Sequence, residues 1–185
     1  MNQPFAGLVA HGFKTLETRN TSVFAPLAGR WVCLHVGQRT YPDGGKHREI
    51  MRRDGGAASE AKVEELTRLR PGFAKGHVVA ILEIGPTRLV QDQADREAPE
   101  IELGAVATGA AMGRYLTTVK SAAWLEAPGL RMKGFPGVSK IELPVSLLPA
   151  QIRERVVREV HAAARGAGAG GSAATQRAAF ARPSR

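Results

Sequence analysis

The sequence predicts an α+β fold: a small β-barrel flanked by short helices, followed by a C-terminal helix and a disordered tail. Three observations carry that prediction. Four short apolar runs, at 30–37, 76–84, 114–125 and 138–143, are rich in β-branched and aromatic residues and read as strands. Helical stretches fall between some of them, but without the regular alternation of a doubly wound sheet. A chain of 185 residues, 43% of them hydrophobic, suits one domain with extensions and can bury a real core.

Each element has its own signal. Residues 4–11 read as a short helix: Pro4 suits a first turn, Phe5, Leu8 and Val9 share a stripe, and Gly12 is a C-terminal stop. Residues 13–19 follow as an extended segment. Residues 30–37, RWVCLHVG, form a buried strand, and residues 40–58 a polar, glycine-rich loop. Ser59 is an N-cap for an amphipathic helix marked by Val63 and Leu66 and ended by Pro71-Gly72. Residues 76–84 are a second buried strand on which His77, Val79, Ile81 and Glu83 alternate along one face. An acid there needs a partner.

Residues 87–113 carry no clear period. Residues 114–125 hold a strand ending near Trp124, and 138–143 alternate as another. Pro149 opens a helix with Ile152, Val156 and Val160 spaced by four, supported by Glu154 and Arg158. Thirteen of the last 20 residues are Gly, Ala or Ser, too little apolar surface to offset ordering entropy. The expected organisation is a domain at 1–149, a helix at 150–165 and a disordered tail at 166–185.

Charge points towards polyanions. Lys and Arg exceed Asp and Glu by 9. Five of those nine charges lie beyond residue 149, so the predicted domain carries only +4. A generally arginine-rich proteome would give the same balance.

Several classes are excluded. One cysteine, Cys33, rules out a disulfide scaffold and a cysteine-based zinc site. No apolar run reaches the ~18 residues of a membrane helix, and the first residues do not read as a signal peptide. The expectation is a cytoplasmic protein with no membrane partner, with a monomer favoured. Phosphate-loop, dinucleotide, serine-hydrolase and zinc-protease motifs are absent, and the five histidines lack ligand spacing. No metal or cofactor is expected.

The informative stretch is Gln3-Pro4-Phe5-Ala6, followed by Gly12-Phe13-Lys14-Thr15-Leu16-Glu17-Thr18-Arg19. In an extended segment Lys14, Leu16 and Thr18 share one face, and Phe13, Thr15, Glu17 and Arg19 the other. A lysine and an arginine beside a helix end can hold an anion. Glu17 can orient Arg19 or accept protons from a base edge. The same residues also read plainly as a helix end followed by a salt-bridged edge strand.

This opening resembles that of the ASCH domain, a member of the PUA-like superfamily. RWVCLHVGQR and KGHVVAILEIGPT resemble strands of its EOLA-like branch (endothelial-overexpressed lipopolysaccharide-associated factor). RYLTTVKSAAWLEAP and RMKGFPGVSKIELP resemble its closing segments. The blocks run in order over residues 2–149. Family members usually carry a short strand ahead of Gln-Pro, where this chain has only Met1-Asn2.

The resemblance implies a small β-barrel whose cleft binds RNA, a nucleotide or a nucleoside. Lys14, Thr15, Glu17 and Arg19 would line that cleft. His35 would sit on a neighbouring strand with Glu83 beyond it. Trp124 would stack a base or pack in the core, and Lys133 would contact phosphate or remain a solvated loop lysine.

One branch resembles an amidohydrolase of N4-acetylcytidine, and a nuclease activity is also attached to the family. The amidohydrolase pattern expects a threonine three residues after the lysine, where this chain has Glu17. Lys14 and Glu17 would then be catalytic only through an activated water, with Glu17 as base and Lys14 stabilising the oxyanion. A protein-interaction adaptor is a third expectation, resting on the resemblance alone.

Overall fold

The structure, a computed structural model, describes residues 1–53, 59–107, 114–134, 138–166 and 177–181. In chain order the elements are α1 (Phe5–Ala10), β1 (Leu16–Arg19), β2 (Trp31–His35), α2 (Lys46–Arg52), α3 (Glu60–Thr67), β3 (His77–Leu89), α4 (Gln93–Glu97), α5 (Pro99–Ala105), β4 (Tyr115–Trp124), β5 (Leu130–Arg131), β6 (Lys140–Pro144), α6 (Ala150–Gly166) and β7 (Arg177–Ala181).

The strands form one sheet in the order β1-β4-β3-β2-β7-β6, with β5 paired to β3. All these pairings are antiparallel except that of β2 with β7. Among the described residues no pairing joins β1 to β6, so the α+β expectation holds but the sheet is open where the sequence predicted a closed barrel. β1 is only four residues long, and among the described residues it pairs only with β4.

The middle of the sheet is buried on both faces. All five residues of β2 are buried. Val32 and Leu34 join Ala6 and Val9 of α1 in one core, while Trp31 and Cys33 join Val156 of α6 in the other. This double coverage explains why β2 reads as a continuous apolar run. β3 is also buried on both sides: Val79 faces the α1 core and Ile81 the α6 core, rather than sharing a face as its spacing suggested. The break lies at Val79: Leu34 of β2 pairs with Ala80 and His35 with Val78, so Val79 is the extra residue of a bulge and the two-residue period is interrupted there.

The local signals hold at several ends. Gly12, at φ +77°, follows the end of α1. Ser59 caps α3 by accepting the Lys62 N–H at 3.2 Å. Met1 and Gly37 tie the chain start to the end of β2: the Met1 amino group donates to His35 O and the Gly37 N–H to Met1 O, both at 2.7 Å.

Two expectations need correction. Residues 46–52, expected within a loop, form α2. Met51 buries itself among Leu8, Val63 and Leu66, and Arg48 and Arg52 pair with Glu60 and Glu64 of α3. Tertiary contacts therefore outweigh a weak local helix signal. The tail expected to be disordered contributes β7 at 177–181, because an unfilled position between β2 and β6 offers its backbone partners on both sides. Gly166 ends α6, and residues 167–176 and 182–185 lie outside the described residues.

Candidate functional site

The turn from α1 into β1 positions the motif. The N–H groups of Phe13 and Lys14 both donate to Leu8 O, at 2.9 and 3.1 Å. The Thr15 N–H donates to Gly104 O of α5 at 2.9 Å, and Thr15 O accepts from Val119 N–H of β4 at 2.8 Å. Gly104 permits this approach: a Cβ there would stand 3.0 Å from Leu16 Cδ1 and 3.2 Å from Thr15 Oγ1. Thr15 itself is exposed.

Lys14 is only 4% exposed. Its ammonium donates to Leu16 O and Ala105 O, both at 2.6 Å, and lies 3.6 Å from Glu17 Oε2. A buried ammonium requires such partners, because losing water without them costs several kcal/mol. Lys14 precedes the paired part of β1, so strand alternation does not apply to it, and its long side chain reaches Glu17 although their parities differ.

Glu17 Oε1 lies 3.0 Å from Arg19 Nε. The carboxylate thus stands between two cations and is 12% exposed. The Arg19 guanidinium lies over Phe24 at 5.7 Å.

The other predicted residues do not join this cluster. His35 is on β2, separated from β1 by β3 and β4. It is buried, with Nε2 3.1 Å from Met132 O, so Nε2–H donates there. Glu83 is on the α6 face. Arg155 of α6 donates to its Oε2 at 2.8 Å, and Lys120 Nζ is 4.0 Å from its Oε1. The partner expected for this strand acid is therefore a helix arginine.

Trp124 packs in the α1 core, with His11 edge-on at 5.0 Å, Phe73 at 5.3 Å and the Arg70 guanidinium over its ring at 5.2 Å. That is core packing, one of its two expected roles. Lys133 is exposed beyond β5.

A second set of side chains adjoins the cluster without having been singled out in the sequence. Phe5 of α1 lies 5.7 Å from Lys14 Nζ, 5.5 Å from the Tyr41 ring and 6.3 Å from the His47 ring. His47 Nδ1 is 2.6 Å from Asp43 Oδ2. Asp43 also accepts the N–H groups of Gly45 at 3.0 Å and His47 at 2.9 Å. Burial pushes the Asp43 carboxyl up, but these backbone donors and the His47 ring together hold it below its usual range. An ionised Asp43 keeps the proton of His47 on Nδ1. The available signal was Asp and His four residues apart, with Asp43 in the glycine turn that leads into α2.

Among the described residues no group of three His, Cys, Asp or Glu side chains could hold a metal ion, and no helix is long and apolar enough to cross a membrane. No family model matches the chain.

Proposed function

We propose that this chain is an ASCH-type domain of the PUA-like superfamily that binds RNA, a nucleotide or a nucleoside at the Lys14–Glu17–Arg19 face. Support comes from the ordered sequence blocks and from one observation above all: Glu17 is fixed between Lys14 and Arg19 yet keeps part of its surface accessible. A carboxylate held this way accepts N–H groups from a base edge, and the neighbouring guanidinium donates to phosphate or carbonyl oxygens. The mostly antiparallel sheet, open among the described residues and with helices on both faces, is the α+β framework from which the finer PUA-like barrel is proposed.

Lys14 serves this reading by anchoring Glu17 and α5. With two of its protons on backbone carbonyls, it is a positioning residue. The 3.6 Å Lys14–Glu17 contact also favours a second reading, water activation by Glu17 in hydrolysis of an acetylated cytidine.

The test is fluorescence anisotropy with a labelled single-stranded RNA across a salt series, beside chromatography of N4-acetylcytidine incubations. Binding that weakens with salt, and that falls about tenfold in Arg19→Ala with a flatter salt slope, is the expected result. Turnover of the nucleoside that disappears in Glu17→Gln would replace it with the hydrolase reading. Neither binding nor turnover would leave the adaptor.

A further inference from the structure

Tyr41 is 54% exposed, and only Leu89 shares that condition as a large exposed hydrophobic among the described residues. It is held at several points. Its N–H donates to Gln3 O at 2.7 Å, its neighbour Thr40 bridges to Gln3, and Thr40 Oγ1 accepts from Lys75 Nζ at 2.8 Å. The ring meets Phe5 at 5.5 Å and 65°. An aromatic ring fixed in place while open to solvent is what an unpaired base stacks on, because most of its ordering entropy has already been spent.

His47, 8% exposed, meets the same Phe5 ring at 6.3 Å and 69°. Asp43 ties Nδ1, while Nε2 has no hydrogen-bond partner among the described residues. A neutral imidazole in this tautomer presents Nε2 as an acceptor of fixed direction, suited to an amino group on a base edge. The Phe5 ring also lies 5.7 Å from Lys14 Nζ, so Phe5 links the two rings to the Lys14–Glu17–Arg19 cluster.

We infer that Tyr41 and His47 form a nucleobase subsite beside that cluster: a base stacks on Tyr41, and His47 Nε2 accepts a hydrogen bond from its exocyclic amino group. Phe5 backs both rings, and Asp43 sets the imidazole. The inference rests on the RNA or nucleotide reading and moves the stacking role from Trp124 to Tyr41. It also implies a preference for bases that carry an exocyclic amino group, cytosine, adenine and guanine, over uracil.

The test uses the full chain with labelled single-stranded oligocytidylate and oligouridylate, measured by anisotropy for wild type, Tyr41→Ser, Tyr41→Phe, His47→Gln and Arg19→Ala. Tyr41→Ser should weaken oligocytidylate binding about tenfold, and Tyr41→Phe, which keeps the ring, should stay within about twofold. His47→Gln should lose about fivefold on oligocytidylate with little change on oligouridylate, narrowing the difference between them.

Wild-type affinity in both Tyr41→Ser and His47→Gln, with Arg19→Ala still weakened, overturns the subsite and leaves the RNA reading standing. Failure of wild type to bind either oligomer overturns both. A loss in Tyr41→Ser that Tyr41→Phe fails to restore removes stacking as the cause, and so overturns the subsite as well.

Discussion

Lys14 and His11 show how far a residue's surroundings were legible. The spacing of Lys14, Glu17 and Arg19 marked them as a group, and the structure brings them together. Their order of exposure was not legible, because it depends on α5, whose residues carry no clear period. Glu83 failed for a related reason: its strand announced a buried acid that needed a partner, but only the packing of α6 tells which face it takes.

His11 had no assigned role, yet it carries a pH dependence. Burial holds its imidazole below the ordinary value of 6.5; its bond to Arg68 O opposes this, and the charge of Arg70 adds to it. Glu65 and Lys62 act on it more weakly and in opposite directions. As pH falls, the unfolded chain takes up this proton before the folded one. Stability from this group is therefore complete above pH 6.5 and is lost as pH drops below it. The carboxylates held low here, such as Asp43 and Glu159, titrate at lower pH and leave this window to histidine. The melting temperature should fall between pH 7.5 and 5.5, and His11→Gln should flatten that slope. An unchanged slope in the variant would remove His11 as its source.

At the scale of elements, the strong periods were read correctly and the weak ones were not. The four-residue spacing of Ile152, Val156 and Val160 predicted α6, and these side chains pack on the core of Trp31, Cys33 and Ile81. α2 escaped because Gly44 and Gly45 precede it and its helix signal is short. Its ion pairs with α3 and the burial of Ile50 and Met51 supply what local propensity lacks.

Two kinds of contact fasten α6. Val156 is fully buried, whereas Arg155 is largely exposed although it bridges Glu83 and Glu159. Trp31 Nε1 adds a bond to Glu159 Oε2 at 2.7 Å. Burial should dominate. Val156→Ala is expected to cost about 2 kcal/mol through lost transfer energy and the cavity left behind. Arg155→Ala should cost less than about 1 kcal/mol, because water screens its ion pairs. Urea unfolding of both variants measures the difference, and an equal or reversed order would place the fastening of α6 in the ion pairs.

At the scale of the whole molecule, net charge was a weak guide, and the tail that holds three of the nine excess charges is more than a charged appendage. Composition predicted no structure there, since Gly and Ala dominate it. What composition does not express is the position open to Arg177–Ala181: parallel to β2 on one side and antiparallel to β6 on the other. Among the described residues β7 is the only strand paired with β6, which links that strand to the rest of the sheet. Ending the chain at Gly166 would expose the backbone of both neighbours, and exposed edges recruit strands from other molecules. The truncated chain should melt roughly 4–8 °C lower, corresponding to about 2 kcal/mol for a chain of this size. It should also form concentration-dependent oligomers in light scattering coupled to size exclusion. Full-length melting together with a monodisperse profile matching that of the intact chain would show that β2 and β6 do not depend on β7, and the sheet would then have to be stabilised by α6 alone on that side.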